Sequence, residues 1–181
     1  MSAAFCFLDV ETTGLDPIVD QILEIAWVIT DERFAPIGHQ RSFLVAQDNW
    51  SRVYSRMREN QVVRRMHTES GLLDDLGGVL TNIDDIWDRM HEDLTLVGRD
   101  PVHLAGFSVH FDRGFMLEHG AMSILDRMHH RLLDLSAVKL LLDTLGIDYP
   151  KAENPSKHRA LNDVAESIEQ ARIFARSAVF S

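Results

Sequence analysis

Phe5-Cys6-Phe7-Leu8-Asp9-Val10-Glu11-Thr12-Thr13-Gly14 is an apolar run that ends in a polar turn. A short apolar stretch such as Phe5 to Val10, closed by turn residues, reads as a buried strand. Asp9 and Glu11 stand two apart, and residues two apart in a strand project from the same face. Two same-side carboxylates at the end of a buried strand are costly unless a positive charge lies between them. A divalent cation such as Mg²⁺ or Mn²⁺, which prefers oxygen ligands, would supply that charge. Taken alone, solvation of a strand end is the simpler account of the pair.

Working outward, Asp16-Pro17 marks a turn, and Ile22 to Thr30 is rich in Ile, Val and Trp, a second strand. Arg41 to Val45 is a candidate third strand, so the chain opens as a meander. The character then changes. Leu80, Ile83, Ile86, Trp87 and Met90 fall at helical spacing between Leu80 and Leu94. Val102 to Ala105 reads as a buried strand, Phe111 to His119 as a short helix and Leu132 to Leu135 as another strand. Ser136 is expected to cap a helix over Ala137 to Leu145 that Gly146 closes. Val164, Ala165, Ile168, Ala171 and Ile173 predict a last helix over Asn162 to Ala175. Strands first, then helices alternating with strands, predict an α/β fold: one mixed β-sheet flanked by α-helices. No repeat, low-complexity tract or linker divides the chain, so residues 1–181 are expected to form one domain.

Length and composition bound the reading. The chain has 181 residues, 45% of them hydrophobic, enough for a sizeable core. Its one cysteine, Cys6, excludes an internal disulfide framework and suits a reducing compartment; within the first strand it reads as a small buried residue. No basic segment precedes a long apolar run and no stretch approaches membrane-spanning length, so a cytoplasmic protein is expected. The formal charge of −10 disfavours extended contact with a phosphate backbone, and a short substrate held at its end conflicts with it least. Against that background Arg52, Arg56, Arg58, Arg64 and Arg65 cluster in one segment with only Glu59 opposing them. The segment fits a solvated helical face or a phosphate-binding surface equally well.

Two further elements carry candidate chemistry. Asp112, in Gly106-Phe107-Ser108-Val109-His110-Phe111-Asp112, follows a predicted strand and opens a predicted helix, where an aspartate also favours the helix dipole. His158-Arg159-Ala160-Leu161-Asn162-Asp163 places a histidine five residues before an aspartate. Asn154-Pro155-Ser156 interrupts regular structure ahead of it, so His158 is expected on a loop beside the helix that carries Asp163.

In order, spacing and context, these motifs resemble the DEDDh family of 3′-to-5′ exonucleases, which have a ribonuclease-H-like fold. Ile22-Leu23-Glu24-Ile25-Ala26 also resembles the family's second strand, and the likeness spans roughly residues 5 to 174. It implies that Asp9, Glu11, Asp112 and Asp163 hold two divalent cations, Mg²⁺ or Mn²⁺, and that His158 is the general base. Two cations can stabilise both the attacking and the leaving oxygen of an in-line displacement, and an imidazole can take the proton of the attacking water. The implied product is a 5′-mononucleotide.

Within the family the chain is most similar to the oligoribonucleases, which digest very short RNAs. That likeness implies substrate contacts from Leu15, as a wedge against bases, and from His67 in His67-Thr68-Glu69-Ser70-Gly71-Leu72. It also implies that Ser108, Arg131 and Ser136 cap a 5′ phosphate across a homodimer. The sequence departs from that pattern at His130, which replaces a tyrosine, at Val62 or a neighbour, which replaces a tryptophan, and at Phe107, which replaces an asparagine. Asp9-Val10-Glu11-Thr12-Thr13-Gly14-Leu15 is the general form of the first motif. A DNA or RNA exonuclease of broader range, of repair or proofreading type, is the alternative. A metal-dependent phosphatase, or a scaffold without chemistry, would be further alternatives for such a carboxylate cluster. Trp27, Trp50 and Trp87 are expected in the core or an interface, and Leu140, Leu141 and Leu142 in a helix core. His129 and His130 beside Arg131 fit a phosphate contact or an exposed surface pair.

Overall fold

A computed structural model of the chain describes residues 3–78, 80–153 and 158–179. Five strands form one sheet: β1 (Ala4–Thr12), β2 (Ile22–Thr30), β3 (Pro36–Leu44), β4 (Val102–Gly106) and β5 (His129–Asp134), in the order β3-β2-β1-β4-β5. β1 to β3 pair antiparallel, whereas β4 pairs parallel to β1 and β5 parallel to β4. The expected mixed sheet is therefore present. Every residue of β2 is buried, Glu24 included, as its mostly apolar sequence requires of a strand covered on both faces.

Helices cover both faces. On one side α4 (Ile83–Val97), α5 (His110–Glu118) and α6 (Met122–Leu125) pack Ile86, Met90, Phe115 and Ile124 against Cys6, Leu8, Ile25 and Trp27. On the other, α7 (Leu135–Leu145) and α8 (Ala160–Val179) pack Leu135, Leu142, Val164 and Ile168 against Phe7, Ala26 and Ala105. A third, smaller cluster joins Leu23 to α1 (Trp50–Glu59), α2 (Gln61–Glu69) and α3 (Leu72–Asp75) through Val53, Met57 and Leu72. Trp27 and Trp87 lie in the core, as expected, while Trp50 is half-buried at its margin. The indole N–H of Trp27 donates to buried Asp93, which also takes two bonds from Arg41 and so ties α4 to β2 and β3. Burial, with the Asp93 charge nearby, pushes the Cys6 thiol up to about 12, so it sits in the sheet as an inert, protonated side chain.

Several boundaries differ from expectation, each for a tertiary reason. β1 continues through Thr12 because Glu11 and Thr12 still pair with β2 across a bulge. β3 begins at Pro36 instead of Arg41; it is an edge strand whose polar residues face water, so it lacks an apolar signature. β5, at the other edge, begins at His129, and Leu135 belongs to α7. Asp134, not Ser136, caps that helix, accepting from the Ser136 N–H at 2.9 Å. Gly146 closes it in the left-handed conformation, as expected. Leu140 and Leu141 are not core: they are 67% and 57% exposed, and only Leu142 of the three is buried. Asn154-Pro155-Ser156 lies outside the described residues. Among the described residues no helix is long and apolar enough to cross a membrane.

Candidate active site

Asp9 and Glu11 leave β1 on one face, two residues apart. From the parallel neighbour β4 the chain turns directly into α5, whose first turn carries Asp112. Gly106 makes this turn possible: a Cβ there would meet the Leu8 carbonyl oxygen at 3.0 Å, so only glycine lets β4 run this close to β1. Buried Asp112 then accepts from the Val10 N–H at 3.0 Å, which brings its carboxylate close enough for its charge to act on both Asp9 and Glu11. The third contribution comes from across the sheet. Asp163 lies in the first turn of α8, and ligand atoms of Glu11, Asp163 and His158 lie within 4.8 Å of one another. His158 stands just before the helix, with a positive φ of 64° and its N–H donating to Asp163 at 3.1 Å. Residues more than 150 apart in sequence thus converge at the end of β1.

The electrostatics match the geometry. Burial, then the neighbouring carboxylates of Asp112, Glu11 and Asp163, holds Asp9 well above the usual carboxylate range. Glu11 is pushed up to about 8, by burial first and then by Asp163 and Glu24. Asp112 also rises to about 8 through burial, against the bond from Val10. Such a cluster is uncomfortable as a set of anions, and a cation among them would relieve it. A donor set of carboxylate oxygens fits hard divalent cations of the Mg²⁺ and Mn²⁺ type, with the imidazole beside them.

Around the carboxylates lies a shell that the sequence did not disclose. Glu24 is the one carboxylate in an otherwise apolar buried strand and sits opposite Glu11 in the β1–β2 register. It accepts from Arg159 through both oxygens at 3.1 and 3.2 Å, from the Ala160 N–H at 3.1 Å and from Ser42 at 3.1 Å. Arg159 also reaches Asp75 of α3 at 2.8 Å. The segment between His158 and Asp163 is therefore bolted to the sheet one residue after the histidine. The available signal was that lone glutamate, since an isolated charge within a buried strand must have a partner.

The other expected contacts separate. Leu15 is 75% exposed at the tip of a loop held from beneath by Asp20, which takes bonds from Thr13, the Asp16 N–H and Arg56. Gly14 is required there, because a Cβ would lie 2.4 Å from the Asp20 carboxylate. Val62 is also exposed. His67 is buried: its Nε2–H donates to the Thr12 carbonyl at 2.8 Å, and its Nδ1 lies 3.7 Å from Glu11. Burial lowers its pKa, so the ring is neutral and forms part of the wall. Ser108, with φ of 50°, and Ser136 meet through their hydroxyls at 2.9 Å, and both N–H groups donate to Asp134. The Arg131 side chain is exposed on β5, with no hydrogen bond to this serine pair among the described residues. The arginine cluster divides: Arg52 donates to the Val19 carbonyl and Arg56 to Asp20, so neither serves as an open phosphate contact.

The family model described as RNase_T, exonuclease, matches residues 6–171. The chain is 35% identical to the oligoribonuclease of Streptomyces coelicolor, over 99% of this chain and 88% of that protein. It is 33% identical to the probable oligoribonuclease of Dictyostelium discoideum, over 96% of this chain and 89% of that protein. Among solved structures, Escherichia coli Exonuclease I in complex with a 5cy-dT13 oligonucleotide superposes with a TM-score of 0.64 at 19% identity. That likeness covers 99% of this chain but 43% of the larger protein, and it concerns the fold.

Proposed function

The chain belongs to the RNase_T exonuclease family, and we propose that it removes 5′-mononucleotides from the 3′ ends of short single-stranded RNAs with two divalent cations held by Asp9, Glu11, Asp112 and Asp163. The observation that carries this reading is the convergence of these four carboxylates, from β1, α5 and α8, with His158 beside them. When bound, the cations would supply Lewis-acid stabilisation of charge on the phosphoryl oxygens. His158 would take the proton of the attacking water, a reading supported by its backbone N–H on Asp163 and by the Glu24–Arg159 pair one residue on. Leu15 offers an apolar edge to a base. The Ser108–Ser136 pair at the helix α7 terminus offers hydroxyls to a terminal phosphate, which Arg131 from a second copy would complete.

The names of the curated relatives support short RNA as substrate, and so does the charge of −10, which leaves little attraction for a long backbone. A homodimer is supported by two features of one side of the molecule: β5 is an edge strand, and α7 exposes Leu140, Leu141 and Leu145. The broader DNA or RNA range keeps one argument, since Val62 offers a base far less surface than the tryptophan the resemblance would put there.

End-labelled RNA and DNA of two, five and twenty nucleotides, incubated with Mg²⁺ or Mn²⁺, test the proposal. The dinucleotide RNA should be cleaved most efficiently, mononucleotides should be the product at every length, and chelator should silence the reaction. Undiminished turnover in excess chelator would remove the cations from the mechanism. Equal efficiency at all lengths would favour the broader exonuclease, and cleavage of phosphomonoesters alone a phosphatase.

A further inference from the structure

Arg58 and Arg64, unlike Arg52 and Arg56, make no side-chain hydrogen bond or ion pair with another described residue, although the chain carries a large excess of acid. Both line a cavity of about 510 Å³ between α1, α2 and α3, a size within the range of small-molecule sites. Its floor is apolar, built in part by buried Met57 and Leu76. One wall is an aromatic pair: Trp50 and Tyr54 lie one turn apart on α1 with ring centroids 5.8 Å apart and planes tilted by 35°. Tyr54 is 61% exposed, an expensive placement for a large ring that serves packing alone.

We propose that this cavity is a second nucleotide-binding site, separate from the carboxylate cluster, in which a base lies against Trp50 and Tyr54 and a phosphate is held by Arg58 and Arg64. Each part answers a different part of the ligand. Aromatic faces take any base by stacking, which makes the site indifferent to sequence. Two guanidinium groups without a side-chain partner among the described residues supply planar donor forks for phosphate oxygens. Met57 and Leu76 exclude water beneath the base. The choice of a nucleotide as ligand rests on the exonuclease reading; the cavity itself does not. The shared chemistry, base plus phosphate, belongs both to a released mononucleotide and to an upstream nucleotide of a strand engaged at its 3′ end.

The test follows tryptophan emission while the full chain with Mg²⁺ is titrated with 5′-AMP, which the proposed reaction releases and does not cleave. Trp27 and Trp87 are buried, so a nucleotide-dependent change reports Trp50. AMP should bind, and the emission change should vanish in Trp50→Leu. Adenosine, ribose 5-phosphate and the double variant Arg58→Gln, Arg64→Gln should each show affinity about tenfold weaker or worse, the scale of losing a charge-assisted contact or a stacked base. A five-nucleotide RNA in an Asp112→Asn background separates the two sources. Affinity equal to that of AMP assigns the site to a free nucleotide, and tighter binding that the arginine variant abolishes assigns it to the strand. Unchanged AMP affinity in the double arginine variant, or no emission change up to millimolar AMP, overturns the proposal. Dinucleotide hydrolysis by the double variant should match wild type. If wild type hydrolyses nothing, the exonuclease reading fails while the binding result stands.

Discussion

At the scale of single residues, the proposed general base makes the most direct prediction. His158→Ala should lower the single-turnover rate by about 10²- to 10⁴-fold, the usual loss with a general base, while Mn²⁺ affinity measured calorimetrically stays near wild type. A near-normal rate in the alanine variant would hand the proton to another group. The carboxylates make a prediction of their own. Glu11 and Asp112 titrate at about 8 in the folded chain without cations and at about 4 when unfolded. Between those values the folded state holds protons that the unfolded state has lost, so its stability falls as pH rises toward 8. The imidazoles of His67 and His119, lowered by burial, act in the opposite direction, but above about pH 7 they are neutral in both states. In chelator, the melting temperature should therefore drop between pH 7 and 8.5. Added Mn²⁺ should raise it more at the upper end, where fewer protons must leave the ligands. A melting temperature that is flat or rises in chelator over that interval would contradict the assigned shifts.

At the scale of elements, the proposed chemistry would depend on how the start of α8 is fastened. Glu24 accepts from the Ala160 N–H and from Arg159, and Arg159 also donates to Asp75, so β2, the His158 loop and α3 meet at one guanidinium. Glu24→Gln preserves shape but leaves Arg159 without its buried counter-charge. Removing one partner of a buried pair costs about 3 kcal/mol, less here because Arg159 is partly solvated. The expected signature is a melting temperature lowered by several degrees and a kcat that falls while KM changes little, since the loop moves and Leu15 does not. Loss of substrate affinity at unchanged kcat would show that the bolt serves binding instead. The same logic explains why the first motif could be read so early: Asp9 and Glu11 share a face by strand geometry alone, whereas the placement of His158 needs a bond from another strand.

For the whole molecule, the open question is what a second copy contributes. Ser108 and Ser136 meet within one chain, while Arg131 is displayed outward on an edge strand beside the exposed leucines of α7. Under the proposed cap, Arg131→Ala should slow cleavage of a dinucleotide far more than that of a twenty-nucleotide RNA, whose 5′ phosphate lies beyond reach. Leu140→Asp with Leu141→Asp should turn a dimer into a monomer by mass in solution and reproduce the same selective loss. Equal losses at every length, or a wild-type monomer with full dinucleotide activity, would dismiss the cap.

Local rules were sufficient for β1 and β2, whose apolar runs permit no other placement, for Gly146 as a helix stop, and for the mixed sheet itself. The motifs around Asp9, Asp112 and His158 were legible too, because strand ends and helix starts can be read from a few neighbours. Other features needed the third dimension. β3 and β5 have one side in water, so their polar residues carry no strand signal until a neighbour pairs with them. Leu140 and Leu141 differ from Leu142 only in the face that the packing of α7 turns toward the sheet. That His67 is buried against Thr12 and Glu11 also needed the third dimension. Sequence determined which groups could do chemistry, since that depends on residue type and local spacing. Which of them meet was decided by the closure of contacts far apart along the chain, such as Glu24 with Arg159 or Val10 with Asp112. No local interaction fixes such distances, because they arise only when burying the common core outweighs the entropy of the intervening chain.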